Sequence, residues 1–147
     1  MEAGGLTVNT GTPASIPVVF SFFVAGDPLS WSRVQGKGGA RYKNPKLAVW
    51  QGQVREAFLQ DVAILGRSGD FPLSVPAALH VQASFRNPHW VRRDADNVLK
   101  AVMDALKGAA WVDDTFKYLP LVACYGRPGS PEGVSVRISA FSGEPLP

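Results

Sequence analysis

The chain has 147 residues, 46% of them hydrophobic, and carries a net charge of +3 at neutral pH. This length fits one domain that buries about two-thirds of the surface its unfolded chain exposes. The single cysteine, Cys124, excludes an internal disulfide, and the two histidines, His80 and His89, lack the spacing of a zinc site. We expect Cys124 to be a small core residue in a protein of a reducing compartment.

The first part of the chain begins with residues 1–17, which are rich in Gly, Thr, Ala and Pro. We expect these residues to form a disordered tail without a targeting signal. The apolar run 18–24 predicts a strand that is too short to cross a membrane, so the cytoplasm is the expected location. A basic, glycine-containing loop follows, and then a helix is predicted over about 45–64 and a strand over about 76–86.

The second part of the chain predicts a helix over about 95–107 and strands near 116–125 and 133–141. Pro120 indicates that the first of these strands lies at a sheet edge or carries a bulge. The stretch Pro128-Gly129-Ser130-Pro131-Glu132-Gly133 favours a turn. We therefore expect the last two strands to pair as an antiparallel hairpin.

The order βαβαββ predicts an α+β fold, a two-layer sandwich of a mixed sheet with both helices on one face. We expect this domain to span residues 18–141 and to be followed by a loose tail over 142–147. The other face of such a small sheet would stay exposed, and a homodimer could cover it or extend the sheet at its edge.

Basic residues dominate the stretch between Asp27 and Glu56, which contains no acidic residue. Aromatic residues alternate with them, and cations that neutralise phosphates beside rings that stack on unpaired bases are typical of a nucleic-acid surface. Taken alone, the stretch fits equally a solvated basic loop with its tryptophans in the core. The aromatic residues are Trp31, Tyr42 and Trp50. The candidate DNA-binding residues, including a later basic pair, are Arg33, Lys37, Arg41, Lys43, Lys46, Arg92 and Arg93.

Five of the eight aspartates lie between positions 94 and 114. Asp94 and Asp96 stand where the strand-like run gives way to a helical pattern. From there on, apolar residues gather on one side of the helix and polar residues on the other. The polar side comprises Asp96, Asn97, Lys100, Asp104 and Lys107. Because Gly108 favours a helix stop, we expect the chain to reverse and bring Asp113 or Asp114 back beside Asp94 and Asp96.

Such a carboxylate cluster requires a compensating positive charge. Three or four oxygen ligands suit Mg²⁺ or Mn²⁺, which keep several waters, better than they suit zinc. Each aspartate also has an ordinary structural explanation. Asp94 can be a helix N-cap, and Asp96 can be a first-turn acid that forms an ion pair with Lys100. The combination of Asp94-Ala95-Asp96-Asn97, Lys100 and Asp113-Asp114 is less expected by chance than any one of these features.

These segments resemble the signature of RusA-type Holliday junction resolvases, endodeoxyribonucleases often carried by bacteriophages and prophages. The similarity covers about residues 85–115, at Arg92-Arg93-Asp94-Ala95-Asp96-Asn97, Lys100, Asp104-Ala105-Leu106 and Trp111-Val112-Asp113-Asp114. The resemblance implies a RusA-like fold and a homodimer that binds branched DNA, specifically a four-way junction. It also implies that Asp94, Asp96 and Asp114 are metal-binding catalytic residues and that Lys100 is needed for cleavage.

The expected reaction is metal-assisted phosphodiester hydrolysis with Mg²⁺, or alternatively Mn²⁺, giving paired symmetric nicks. We expect Asp113 to be an auxiliary ligand, Asn97 to orient a carboxylate or water, and Asp104 to be a structural partner of Lys100 or Lys107. No membrane and no small-molecule cofactor are expected. The alternative is a non-catalytic DNA-binding accessory protein whose carboxylates are only structural.

Overall fold

The computed structural model describes residues 18–28, 33–35, 41–43 and 45–141, so the predicted tails lie outside the described residues. A four-stranded mixed sheet, in the order β1-β6-β4-β5, forms one layer of an α+β sandwich. Its strands are β1 (Val18–Ala25), β4 (Ala77–Phe85), β5 (Leu121–Pro128) and β6 (Gly133–Ala140). The helices are α1 (Pro45–Ile64) and α2 (Ala95–Leu106). A separate antiparallel pair consists of β2 (Arg33–Gln35) and β3 (Arg41–Lys43).

Both helices pack on one face of the sheet, as the sequence predicts. Alternate residues of the strands point to this face, and they meet the apolar sides of α1 and α2 in a single core. Phe58 of α1 lies at its centre, with its ring centroid 5.0 to 5.7 Å from those of Phe20, Phe22 and Phe71. Its side chain is fully buried. Truncating such a side chain to Ala costs about 3–5 kcal/mol.

The segment β4-α2-β5 is a crossover unit in which β5 runs parallel to β4. The connection carries the chain through the 3₁₀ turn Trp90–Arg92, back along the sheet in α2, and then into β5. The carboxyl end of β4 therefore lies at the same end of the molecule as the start of α2. The amino end of β5 lies at the opposite end, where α2 finishes.

The predicted hairpin between the last two strands is wrong. β4 lies between β5 and β6, and β6 pairs antiparallel with both β1 and β4. The connection crosses the end of β4, where Gly129 donates its backbone N–H to the carbonyl of Phe85 at 3.0 Å. Glu132 anchors the same crossing by accepting from the backbone N–H of Arg86 at 3.0 Å. Four extended residues reach about 13 Å, which is enough to pass one intervening strand.

Other boundaries agree more closely with the sequence. Helix α1 matches its prediction, whereas the strand expected at 116–125 begins only at Leu121, directly after Pro120. β5 is an edge strand, in agreement with the effect expected of that proline. Part of the predicted basic loop is the β2–β3 pair instead. Within the described part of the chain, no helix is long and apolar enough to cross a membrane.

Candidate active site

Asp94 is the N-cap of α2. Its Oδ1 accepts a hydrogen bond from the backbone N–H of Asp96 at 3.0 Å, and its Oδ2 accepts one from Nδ2 of Asn97 at 3.3 Å. The structural role anticipated for Asp94 is therefore confirmed. A carboxylate offers about four lone-pair positions, so two hydrogen bonds leave Asp94 with capacity for a cation. The residue is exposed, which keeps it accessible to a substrate.

Asp96 and Lys100 occupy the polar side of α2, four residues apart and both exposed. The predicted apolar side of the helix is confirmed by the residues it buries, which are Val98, Ala101, Val102, Ala105 and Leu106. Because the apolar side fixes the rotation of the helix against the sheet, the polar side is held outward. The start of α2 therefore presents two carboxylates and, one turn later, an ammonium group.

Cys124 lies beneath the start of α2, in β5. Burial raises the pKa of its thiol to about 11, and the negative charge of Asp96 adds to this effect. The side chain also packs against the hydrophobic core. The thiol is thus protonated at neutral pH, which fits the core role expected of Cys124 and not that of a nucleophile.

Arg93 ties the start of α2 to the end of β1. Its Nη2 contacts Asp27 Oδ2 at 3.0 Å, and its Nη1 donates to the carbonyl of Pro28. The guanidinium also lies over the ring of Phe85, 5.3 Å from the centroid. Arg93 is one of the predicted DNA-binding residues, and in this structure its charge has an intramolecular partner. Its neighbour Arg92 is exposed.

Asp113 and Asp114 lie beside Lys107, the residue that follows the last turn of α2. Lys107 Nζ is 3.1 Å from Asp113 Oδ1 and 3.9 Å from Asp114 Oδ1. The hydrogen bond with Lys107 lowers the pKa of Asp113, and the same bond, with the charges of Asp113, Asp114 and Asp104, raises the pKa of Lys107. Asp104 contributes least to the shift of the Lys107 pKa, and the direct partner of Lys107 is Asp113.

The chain does not bring all the candidate metal ligands together. Helix α2, 12 residues or about 18 Å long, separates Asp94 and Asp96 from the pair Asp113-Asp114. In the described ranges, no three His, Cys, Asp or Glu side chains are placed to hold a metal ion. Asp94 and Asp96 nevertheless suit Mg²⁺, since this ion is often held by one or two carboxylates with waters and substrate phosphates.

The candidate DNA-binding residues are only partly within the described chain. Register places Arg33 opposite Lys43 and pairs Gln35 with Arg41, while Lys37 lies outside the described residues. Lys46 is exposed in the first turn of α1. Among the aromatic residues, Trp50 is buried in the core, which agrees with the alternative explanation for the tryptophans.

Two side chains of α1 outside the predicted site residues hold the second half of α2. Gln51 is buried and donates through Nε2 to the carbonyl of Ala101 at 2.9 Å. Arg55 donates through Nη1 to the carbonyls of Lys107 at 3.1 Å and Ala105 at 3.4 Å. All three carbonyls lie about fifty residues further along the chain, so no local sequence signal identifies these contacts.

Comparison with known proteins relates this arrangement to one family. The family model described as "Endodeoxyribonuclease RusA" matches residues 27–138. No curated protein matches the chain significantly. The matched region contains the capped start of α2, the acidic pair beside Lys107, and both helices of the sandwich.

Proposed function

Because the chain belongs to the RusA endodeoxyribonuclease family, we propose that it is a Mg²⁺-dependent resolvase that cuts Holliday junctions by paired symmetric nicks. Family membership implies an endodeoxyribonuclease and supports action on Holliday junctions. The metal, the pairing of the nicks and the residues responsible are the parts that we propose.

The arrangement of side chains at the start of α2 supports this function most directly. Asp94 and Asp96 are exposed there, and Lys100 follows one turn later on the polar side of the same helix. An exposed pair of carboxylates beside a cation is suited to a phosphate that arrives with a divalent metal ion.

Asp94 and Asp96 would hold the metal ion, and Asn97 orients the Asp94 carboxylate through its Nδ2. A bound divalent ion supplies a water of lowered pKa and polarises the scissile phosphate. Lys100 would contact the phosphate and offset the negative charge that builds on it during cleavage. Arg93 is a positioning residue, because its bonds to Asp27 and Pro28 fix the segment that leads into Asp94.

Asp114 belongs to the metal site of this proposal only if the protein is a dimer. In this structure Asp114 lies past the end of α2, and no three His, Cys, Asp or Glu side chains of the described residues are grouped to hold a metal ion. A second copy would supply Asp114, with Asp113 as an auxiliary ligand. Two such composite sites in a homodimer would also provide the two nicks. We assign the dimer contact to the edge of β5, which begins after Pro120.

The rest of the DNA would lie on other basic residues of the chain. Arg92 and Lys46 are exposed in the structure, and we propose that they neutralise phosphates together with Arg33, Lys37, Arg41 and Lys43. Contacts of this kind determine affinity and its salt dependence more than they determine the cleavage rate.

The experiment is an incubation of the pure protein with labelled four-way junction, duplex and single strand, with Mg²⁺, with Mn²⁺ and with EDTA. We expect cleavage of the junction only with a divalent ion. Asp96→Asn should reduce the rate by orders of magnitude while junction binding in EDTA survives, because only the charge that holds the cation is removed.

Asp70→Asn is the matched control for Asp96→Asn. Asp70 lies in an exposed 3₁₀ turn, where it forms an ion pair with Arg67, and its substitution should leave cleavage unchanged. Near wild-type cleavage by Asp96→Asn would contradict the metal site.

A non-catalytic DNA-binding accessory protein is the second candidate. The cap formed by Asp94 and the Asp113–Lys107 ion pair favour it, since both give these carboxylates structural roles. Junction binding without any divalent-dependent nicking would support that alternative.

A further inference from the structure

The face of the sheet that turns away from both helices carries an open groove of about 500 Å³. All four strands contribute side chains to it, including Ser21, Phe23, His80, Gln82, Tyr125 and Arg137. The proposed cleavage site uses none of these residues, because it lies with α2 on the other face of the sheet. The groove therefore needs an explanation of its own.

Strand register arranges the groove in two rows. Across one row, Phe23 lies opposite Ser135, Ser135 opposite Gln82, and Gln82 opposite Tyr125. Aromatic rings thus stand at both ends of the row, with small or polar side chains between them. The rings are separated by three strand spacings, or about 14 Å. Phe23 is 41% exposed and Tyr125 58% exposed, so each presents surface to a ligand.

The second row adds hydrogen-bonding groups and positive charge. Arg137 lies between Ser21 and His80 in this row, and its side chain is exposed. Nδ1 of His80 is buried and has no hydrogen-bond partner within the described part of the chain. A buried polar atom without a partner is unusual in a folded protein.

The charge of the face selects an anionic ligand. None of the four strands contains an acidic residue, whereas Arg127 and Arg137 belong to β5 and β6. A second copy docked on this face would bring like charges together with no carboxylate of the strands to compensate them. An anion with flat apolar groups would satisfy both the arginines and the rings.

We infer that the open face of the sheet binds a single-stranded segment of DNA, with Phe23 and Tyr125 stacking on separate bases and Arg137 contacting phosphate. This inference rests on the proposed function for its choice of DNA. Two rings about 14 Å apart stack on bases only where those bases are unpaired, since the bases of a duplex stack on each other. The face therefore serves unpaired DNA, such as a strand that has opened at the branch point of the substrate.

The test is fluorescence anisotropy of a labelled oligothymidylate about twelve nucleotides long, within the usual range for a small β-sheet domain. EDTA in the buffer prevents cleavage. Tyr125→Ala and Phe23→Ala should each weaken binding roughly tenfold, as expected for the loss of one stacked base. Tyr125→Phe should restore the affinity, because it keeps the ring.

Phe116→Ala is the matched control for both aromatic variants. Phe116 is 84% exposed outside this face, and its substitution should leave the affinity for oligothymidylate unchanged. Arg137→Ala should reduce the slope of log affinity against log salt by about one. Unaltered oligothymidylate binding by both Tyr125→Ala and Arg137→Ala would overturn the inference, as would conversion of a dimer to monomers by Tyr125→Ala without a change in oligothymidylate affinity.

Failure of this inference is distinguishable from failure of the proposed function. A protein that cuts four-way junctions but binds oligothymidylate independently of Phe23 and Tyr125 retains the function and loses the inference. A protein that binds oligothymidylate through the two rings but cuts no junction retains the inference and loses the proposed function. Asp96→Asn should bind oligothymidylate as the wild type does, because Asp96 belongs to the other face.

Discussion

Asp94 combines a structural and a proposed catalytic role in one carboxylate, and the choice of substitution separates them. Asn is as good an N-cap as Asp, so Asp94→Asn should keep the stability of α2 and lose cleavage with the metal-binding charge. Asp94→Ala should lose cleavage as well and cost about 1 kcal/mol of stability. Urea unfolding of both variants, beside the junction cleavage assay, measures the two effects.

Asn97→Ala tests the second hydrogen bond that the Asp94 carboxylate accepts, the one from the Asn97 side chain. It removes the 3.3 Å contact to Asp94 Oδ2 without touching the capping bond to Asp96. We expect a smaller loss of cleavage than for Asp94→Asn. If Asp94→Asn cleaves as fast as the wild type, the carboxylate of Asp94 only caps α2 and does not bind a catalytic metal ion.

His80 should make the stability of the protein depend on pH. Burial, with a smaller contribution from the charge of Arg137, lowers the pKa of His80 in the folded state. The unfolded chain therefore binds a proton at a higher pH than the folded protein does, and the free energy of unfolding should fall as pH decreases below about 6.5. Urea unfolding at about pH 7.5 and about pH 5.5 measures this decrease.

His89 offers the control for the pH prediction, because it is exposed in the turn before α2. His80→Gln should flatten the dependence on pH, and His89→Gln should leave it in place. An equal decrease in wild type and His80→Gln would assign the pH effect to other groups.

The crossing between β5 and β6 depends on a glycine at the start of β6. A Cβ at Gly133 would lie 2.3 Å from the carbonyl oxygen of Val24 and 2.4 Å from Cζ of Phe23. The carbonyl oxygen of Val24 belongs to the backbone of the neighbouring strand, so β1 would have to shift to make room for the added Cβ. Gly133→Ala should therefore destabilise the protein by about 1–3 kcal/mol, visible as a lower melting temperature.

Gly52 is the matched control for Gly133. It lies in α1 with nothing within 4 Å of an added Cβ, so Gly52→Ala should stabilise the protein by up to about 1 kcal/mol through helix propensity. If Gly133→Ala melts at or above the temperature of the wild type, the close approach of β1 and β6 is not a constraint on the fold.

If each active site combines residues from both chains of a homodimer, two inactive variants should restore cleavage when they are mixed. Sites contained within one chain would not. In a mixture of Asp96→Asn and Asp114→Asn proteins, a mixed dimer carries one site with both substitutions and one site with neither. The mixture should regain cleavage that each protein lacks alone, and a cruciform plasmid should yield mainly nicked circles because only one strand is cut. Sites contained within one chain would leave the mixture as inactive as its components.

Light scattering with and without junction DNA provides the companion measurement. The wild type should be dimeric at working concentration and should convert the cruciform plasmid to linear product. A monomer bound to DNA that produces only nicked circles would be a structure-specific nickase.

Helix α2 illustrates what local sequence determines. Its side-chain period, its capping aspartate and its buried side depend on residues within a few positions of each other, so the sequence predicts them closely. The limits of α1 and the edge position of β5 beside Pro120 follow for the same reason. The motif around Asp94 likewise identifies the family, since its chemistry lies in a short run of residues.

Tertiary structure alone decided which elements became neighbours. The turn-rich residues between β5 and β6 suit a hairpin, but β4 lies between the two strands because side-chain alternation specifies a face of the sheet and not a partner strand. Arg93 and Asp27, 66 positions apart, meet only after the whole sheet has formed. The pair Asp113-Asp114 lies at the far end of α2 because β5, parallel to β4, must begin at that end, and no local pattern encodes where a crossover returns.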